Sequence, residues 1–274
     1  MGSRMRVIKF SIVLFIAAGI FLMLFPACSK GETELIVAGS TSVQPYAEIL
    51  AEEFALVHTE PAAEPKGRGS PPVGTVEIQG GGSSAGIAAA ESGTADIGMS
   101  SRYLKEKEEL QGLKEVTIAI DGLAVIVHKD NPVSNLGVEQ IQKIYTSDNA
   151  ARINNWKELG GRDAKIHIIT REEGSGTRSA FEEQIMKEEW ITPKAIVLNS
   201  NGSIGQQVEL DPDAIGFISL GLVKEYNVKA VNLDGITPTH ANVANGSYLL
   251  SRPFLFVTKG VSTGKARQFI DFIL

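Results

Sequence analysis

Three stretches of the chain place glycines and small hydroxyl residues directly before an amphipathic segment. They are Ala38-Gly39-Ser40-Thr41-Ser42, Gly80-Gly81-Gly82-Ser83-Ser84-Ala85-Gly86 and Arg171-Glu172-Glu173-Gly174-Ser175-Gly176-Thr177. A fourth, weaker one is Gly98-Met99-Ser100-Ser101-Arg102. Each joins an extended-looking stretch to a polar or helix-like one, and the first three read as strand-to-helix joints. The first turn of a helix carries backbone N–H groups without partners, and the aligned peptide dipoles add partial positive charge there. Glycine lets a guest approach the backbone, and Ser or Thr adds a hydroxyl donor. One such joint alone is an ordinary capped helix. Several at the carboxyl ends of strands are the pattern of loops converging on one anion. Arg171 adds a planar guanidinium whose paired donors match a tetrahedral oxyanion.

Other chemistries fit less of the chain. Gly82-Ser83-Ser84-Ala85-Gly86 matches Gly-x-Ser-x-Gly, the nucleophile elbow of serine hydrolases, with Ser84 as nucleophile and His167 or His240 as base. That reading lacks an upstream His-Gly-Gly motif and leaves the other joints unexplained. No Gly-x-x-x-x-Gly-Lys-Ser/Thr occurs, so the glycines are not a nucleotide P-loop. His58, His128, His167 and His240 stand apart, and the single cysteine excludes a four-Cys zinc site and an internal disulfide. No metal and no cofactor is expected. Lys105 to Glu109 reads as a solvated helix face. Lys plus Arg number 26 against 32 Asp plus Glu, a net charge of −6, which disfavours nucleic acid as a partner. A local field can still hold an anion in a closed cleft.

The elements that must position these joints alternate strand and helix. Leu35-Ile36-Val37, Thr75 to Ile78, Val116 to Ile120, Gly122 to His128, Lys165 to Thr170, Ala214 to Ile218 and Leu249 to Val257 read as strands. Pro45 to Phe54, Ala85 to Glu91, Leu136 to Tyr145, Thr177 to Lys187 and Gly264 to Leu274 read as helices. The alternation predicts an α/β fold with parallel sheets covered by helices, and 274 residues suit one or two domains. Residues 60–74, rich in Pro and Gly, read as a flexible surface insertion. Residues 1–27 have the anatomy of a signal peptide: Arg4, Arg6 and Lys9, then an apolar run from Phe10 to Phe25. That run is shorter than the roughly 20 residues of a spanning helix. Cys28 stands where cleavage would expose it, so it reads as the acylated residue of a lipoprotein. An ordinary signal peptide or an uncleaved anchor is the plainer alternative, and Phe25 and Pro26 depart from the usual lipoprotein pattern.

From about Glu34 to Leu274 the chain resembles the PstS-type phosphate-binding proteins of bacterial ABC importers. The resemblance is carried by Gly-Ser-Thr-Ser (39–42), Gly-Gly-Gly-Ser-Ser-Ala-Gly (80–86), Ala-Asp-Ile-Gly-Met-Ser-Ser-Arg (95–102) and Arg-Glu-Glu-Gly-Ser-Gly-Thr-Arg (171–178). Asp121-Gly122 and the residues after it, Asn131-Pro132, Ala214 to Ser219 and Asn245 to Pro253 add to it. It implies a two-lobed periplasmic-binding-protein fold of type II, with two crossing segments at the hinge. Lobe one would be 33–120 plus 249–274, and lobe two 121–248. It implies an exported protein, held to the membrane through Cys28, that is not an enzyme. Such a protein captures inorganic phosphate between its lobes and delivers it to ABC importer permease subunits.

Carried over residue by residue, Thr41 and Ser42 would donate from the first joint and Ser83 from the second. Arg171 would be the charged clamp, with Ser175, Gly176 and Thr177 completing the shell. Glu173 would orient Arg171, Asp96 would be structural, and Arg102 and Arg178 fit a helix surface as well as the site. Ser101 stands where some members carry an aspartate that accepts the proton of hydrogen phosphate. Sulfate, arsenate or molybdate therefore remain alternative ligands. The chain stops at Leu274, inside what reads as the last helix, where family members generally run further.

Overall fold

The computed structural model describes residues 35–58 and 75–274. The signal-like segment with Cys28 and the Pro- and Gly-rich stretch 60–74 lie outside the described residues. In chain order the first elements are β1 (Leu35–Gly39), α1 (Gln44–His58), β2 (Val76–Gly80), α2 (Ser83–Ser92), β3 (Ile97–Ser100) and α3 (Glu106–Glu109). There follow β4 (Leu113–His128), β5 (Asn135–Leu136), α4 (Val138–Tyr145), β6 (His167–Arg171), α5 (Gly176–Phe181), β7 (Ile196–Leu198) and α6 (Asn201–Leu210). The last are β8 (Ala214–Ser219), β9 (Val228–Ala230), β10 (Asn232–Leu233), α7 (His240–Ala244), β11 (Ser251–Lys259) and α8 (Gly264–Ile273).

Among the described residues nine strands share one sheet, in the order β2-β1-β3-β11-β4-β8-β6-β7, with β9 pairing with β4 off that path. β1 runs parallel to β2 and β3, and β6 runs parallel to β7 and β8. Parallel pairing brings the carboxyl ends of each trio to one edge, which is where ligands collect in open α/β sheets. The two trios meet through β4 and β11, which are antiparallel to each other. Apolar side chains form two main clusters. One gathers Val37, Phe54, Ile97, Phe256 and Phe269 beneath the first trio. The other gathers Tyr145, Trp156, Phe181, Phe217 and Leu250 beneath the second. The rings of Phe181 and Phe217 stack at 4.1 Å, and each such buried ring contributes roughly 1.5–3 kcal/mol. Two clusters on one sheet are the two lobes of the fold, and β4 and β11 are its crossing segments.

β4 differs from the sequence expectation. Val116 to Ile120 and Gly122 to His128 are parts of one strand, not two. Its first half pairs with β11 and has mixed exposure, whereas Leu123 to Val127 pairs with β8 and is wholly buried. Asp121-Gly122 resembles a turn signal but marks the passage between lobes. A β-carbon at Gly122 would lie 2.7 Å from Val243 and 2.8 Å from Leu220, so close packing explains the glycine. The helix expected over 177–187 is α5 followed by a wider π-helical turn, Glu182–Met186. The last strand begins at Ser251 rather than Leu249. Among the described residues no helix is long and apolar enough to cross a membrane.

Candidate functional site

The four joints meet. After β1 the chain turns through Ser40, Thr41 and Ser42, with the backbone N–H groups of Val43 and Gln44 both donating to the Ser40 carbonyl. Ser83 opens α2, Ser101 follows β3, and Arg171 ends β6. Ser175 is the N-cap of α5: its hydroxyl accepts from the Arg178 N–H, leaving the first-turn amides of Gly176 and Thr177 free of helix partners.

Contacts across the cleft define one spot. Ser42 Oγ lies 3.0 Å from Thr177 Oγ1. Ser83 Oγ lies 3.2 Å from Ser101 Oγ and accepts from the Ser101 N–H at 3.0 Å. Gly176 sits against both serines, and a β-carbon there would run into their hydroxyls. Arg171 Nη1 reaches Thr177 Oγ1 at 3.4 Å. Asn201, the first residue of α6, donates from Nδ2 to Ser42 Oγ at 2.8 Å and to Thr41 Oγ1 at 3.3 Å. The Ser84 N–H donates to the Gly174 carbonyl at 3.0 Å, a main-chain bond between joints on opposite sides of the cleft. Thr41, Ser42, Ser83, Ser101, Arg171, Gly176 and Thr177 are thus brought together, with Ser175 beside them capping α5.

Two further side chains of the cleft escaped the sequence reading. Asn201 lies in a helix not recognised there. Its signal was a fifth joint of the same kind, Leu198-Asn199-Ser200-Asn201-Gly202, in which Ser200 caps α6 by accepting from the Ser203 N–H. The other is Arg252, on β11. Its Nη2 donates to Ser42 Oγ at 3.0 Å and its Nη1 approaches Ser101 Oγ at 3.5 Å. The cleft therefore holds Arg252 as well as Arg171, both buried.

Each guanidinium has its own carboxylate. Arg171 is paired by Glu172 and not by Glu173: Nε and Nη2 each meet a Glu172 oxygen at 2.8 Å. A turn closed by the Ser175 N–H on the Glu172 carbonyl folds that side chain back. Arg252 holds Asp121 through Nε at 3.2 Å and Nη2 at 3.0 Å. Burial pushes the Asp121 carboxyl above its ordinary range against the pull of Arg252, and burial draws the Arg252 guanidinium down against the pull of Asp121. Arg102 is buried, not on a helix surface. It forks onto Glu108 with both bonds at 2.9 Å and donates to Ser84 Oγ. Glu108 therefore turns inward from a run expected to be a solvated face. Arg178 bonds Glu182 and the Arg171 carbonyl, bracing the third joint from α5. Asp96 accepts from the Ile36 N–H, a structural bond as expected.

Chemically, the spot offers hydroxyl, amide and guanidinium donors at short range. Ser84 Oγ meets Arg102, and among the described hydrogen bonds no histidine reaches it. His167 bonds Asp211 instead. The arrangement suits recognition of a small anion.

A PBP superfamily domain model matches residues 27–274. The phosphate-binding protein PstS of Bacillus subtilis is 30% identical, over 97% of this chain and 89% of its own length. PstS of Borreliella burgdorferi is 30% identical, over 90% and 87%. A Clostridium perfringens substrate-binding protein assigned to phosphate ABC transport, solved with bound phosphate, superposes with a TM-score of 0.79. It is 44% identical, and the match covers 88% of this chain and 93% of that one. An ABC-type phosphate transport receptor from Vibrio cholerae gives a TM-score of 0.67 at 40% identity, over 88% and 93%. With its two lobes, its two crossing strands and these relatives along nearly its whole length, the chain belongs to the PBP superfamily, in the family of PstS phosphate-binding proteins.

Proposed function

We propose that this protein captures inorganic phosphate between its lobes and delivers it to the permease subunits of an ABC importer, without catalysing a reaction. The observation that carries this reading is the meeting of Ser42 and Thr177 hydroxyls at 3.0 Å across the cleft, beside the buried Arg171. The lobes divide as 33–120 plus 249–274 and 121–248. Thr41, Ser42, Ser83 and Ser101 donate from the first lobe, and Arg171, Ser175, Gly176 and Thr177 from the second. An anion held from both sides favours the closed arrangement, and its loss frees the lobes to part about β4 and β11. The phosphate bound in the Clostridium perfringens relative supports the choice of ligand.

Export follows the signal-like first 27 residues, with acylation of Cys28 as the membrane tether. Palmitate labelling that is lost in Cys28→Ser supports the tether, and labelling that persists rules it out. The central test is calorimetry on Arg171→Ala. A charge-assisted hydrogen bond is worth about 1.5–3 kcal/mol, so phosphate affinity should fall at least about tenfold. Unchanged affinity would overturn the assignment.

A further inference from the structure

We propose that Asn201 and Arg252 are positioning residues that fix the direction of the hydroxyl protons in the cleft, so that the site presents donors to its anion and almost no acceptors. The inference rests on the phosphate reading of the same cleft and says which form of oxyanion the site takes.

The argument begins at Ser42. A serine hydroxyl has one proton to give and two lone pairs to receive with. The Asn201 amide donates into one lone pair at 2.8 Å and Arg252 Nη2 into the other at 3.0 Å. The amide cannot be turned round, because Asn201 Oδ1 accepts the Ser219 main-chain N–H at 3.1 Å. A guanidinium never accepts. With both lone pairs filled, Ser42 must send its proton into the cleft, where Thr177 Oγ1 lies.

The same direction holds at the neighbouring hydroxyls. Thr177 Oγ1 receives from Ser42 and from Arg171 Nη1, so its own proton points onward. Ser101 Oγ receives from Ser40 Oγ at 3.0 Å and, at longer range, from Arg252 Nη1. Ser83 Oγ receives from the Ser101 N–H, and Ser175 Oγ from the Arg178 N–H. The scaffold donates to these hydroxyl oxygens, filling both lone pairs of Ser42, Thr177 and Ser101 and one each of Ser83 and Ser175, and so turns their protons toward the cleft. The nearest carboxylates are engaged by arginines: Asp121 by Arg252, and Glu172 by Arg171.

A ring so rich in donors fits a tetrahedral anion that carries no proton. A P–OH of a protonated phosphate finds few acceptors there. Affinity should therefore rise with the second ionisation of phosphate, and sulfate should compete. The titratable and charged groups around Ser42 are Asp121 and Arg252 on the crossing strands, Arg171 and Glu172 at the end of β6, Tyr46 on α1 and His240 on α7. Sulfate stays unprotonated throughout, so its own pH profile reports these groups separately from the ligand's ionisation.

The test is calorimetry with phosphate and with sulfate at about pH 5.5, 7 and 8 on the full chain and on two variants. For the unaltered protein, phosphate affinity should rise across this range relative to sulfate, and sulfate should bind within about tenfold of phosphate at neutral pH. Asn201→Ala frees the Ser42 hydroxyl, so both anions should weaken by about three- to tenfold with the pH trend kept. Asn201→Asp puts an acceptor where the amide donated. Ser42 should then turn its proton away and show the guest a lone pair. Sulfate should weaken by more than about 100-fold, while phosphate at pH 5.5 survives and its pH trend reverses. Equal loss of both anions at every pH in Asn201→Asp would mean charge repulsion alone, and would overturn the proposal. Rejection of sulfate by more than about 100-fold in the unaltered protein would overturn it with no variant needed. A chain that binds neither anion would bring down the phosphate reading as well.

Discussion

Gly176 offers a way to test lobe closure without touching a charge. It opens α5 in the second lobe and abuts Ser83 and Ser101 of the first. Its backbone lies outside the positive-φ region, so alanine can adopt the same conformation. Within its own lobe the substitution should be neutral or slightly stabilising, since alanine exceeds glycine in helix propensity by up to about 1 kcal/mol. Across the cleft it is a wedge. The added methyl would sit 3.0 Å from the Ser101 carbonyl carbon, which is main chain and cannot rotate away, besides meeting both hydroxyls. Relief requires the lobes to part by about an ångström to reach ordinary contact. The Ser42–Thr177 and Ser84–Gly174 bonds, each 3.0 Å, would then be out of range. Two hydrogen bonds at about 0.5–1.5 kcal/mol each give about 1–3 kcal/mol, a loss of roughly 5- to 150-fold in phosphate affinity. Calorimetry reads the affinity, solution scattering with and without phosphate reads the compaction, and a melting curve checks the fold. Gly176→Ala with affinity within twofold and full compaction would refute the cross-lobe geometry.

The other predictions concern the charges and the hinge. Burial pushes the Glu108 carboxyl up, but hydrogen bonds from Arg102 and the Lys105 N–H, with the charge of Arg102, outweigh it and hold it below the usual glutamate value. Its stabilisation is therefore complete at neutral pH and is lost as pH falls through about 4.3 toward the depressed value. Glu108→Gln should lower the melting temperature at pH 7 by about 2–8 °C, with the gap closing near pH 3; a gap that stays constant with pH would contradict the pairing. Because Arg171, Arg252 and Arg102 each face a carboxylate, the site carries little net charge. Raising salt from about 0.05 to 0.5 M should change phosphate affinity by less than about threefold, and a tenfold loss would reveal an unneutralised cation. Gly122→Ala forces a methyl against Leu220 and Val243 and should cost about 1–3 kcal/mol by chemical denaturation; no loss would mean that the crossing strand has room.

How far the site could be read from sequence depended on whether its chemistry was local. The joints were legible because glycine and hydroxyl residues at a strand end act through the backbone beside them. Ser40 shows this: its carbonyl takes the amides of Val43 and Gln44, all within one turn. The choice between Glu172 and Glu173 was not legible, because it depends on how a single turn folds back. Asn201 was missed for a related reason. Its helix has few apolar residues, Ile204 and Val208 among them, so periodicity was weak although the cap at Ser200 followed the same rule as the other joints.

Arg252 and Asp121 are a different kind of omission, and one that physical reasoning could have repaired. Arg252 lies 131 positions from Asp121, and only the register of β4 against β11 sets them opposite each other. No local pattern encodes that pairing. Yet Arg252 stands inside a run, Leu249 to Val257, that reads as a buried strand. A charge there is untenable unless an opposite charge is buried beside it. Asp121 stands directly before the buried run Gly122 to Val127. In the register that β4 and β11 adopt, Asp121 falls opposite Arg252 and meets that need. With its Asp121-facing donors fixed, the guanidinium can extend its remaining reach to Ser42 and Ser101. The charge pair at the hinge and the hydroxyls of the cleft are thus one connected network, so a change at either crossing strand should be felt as a change in how the anion is held.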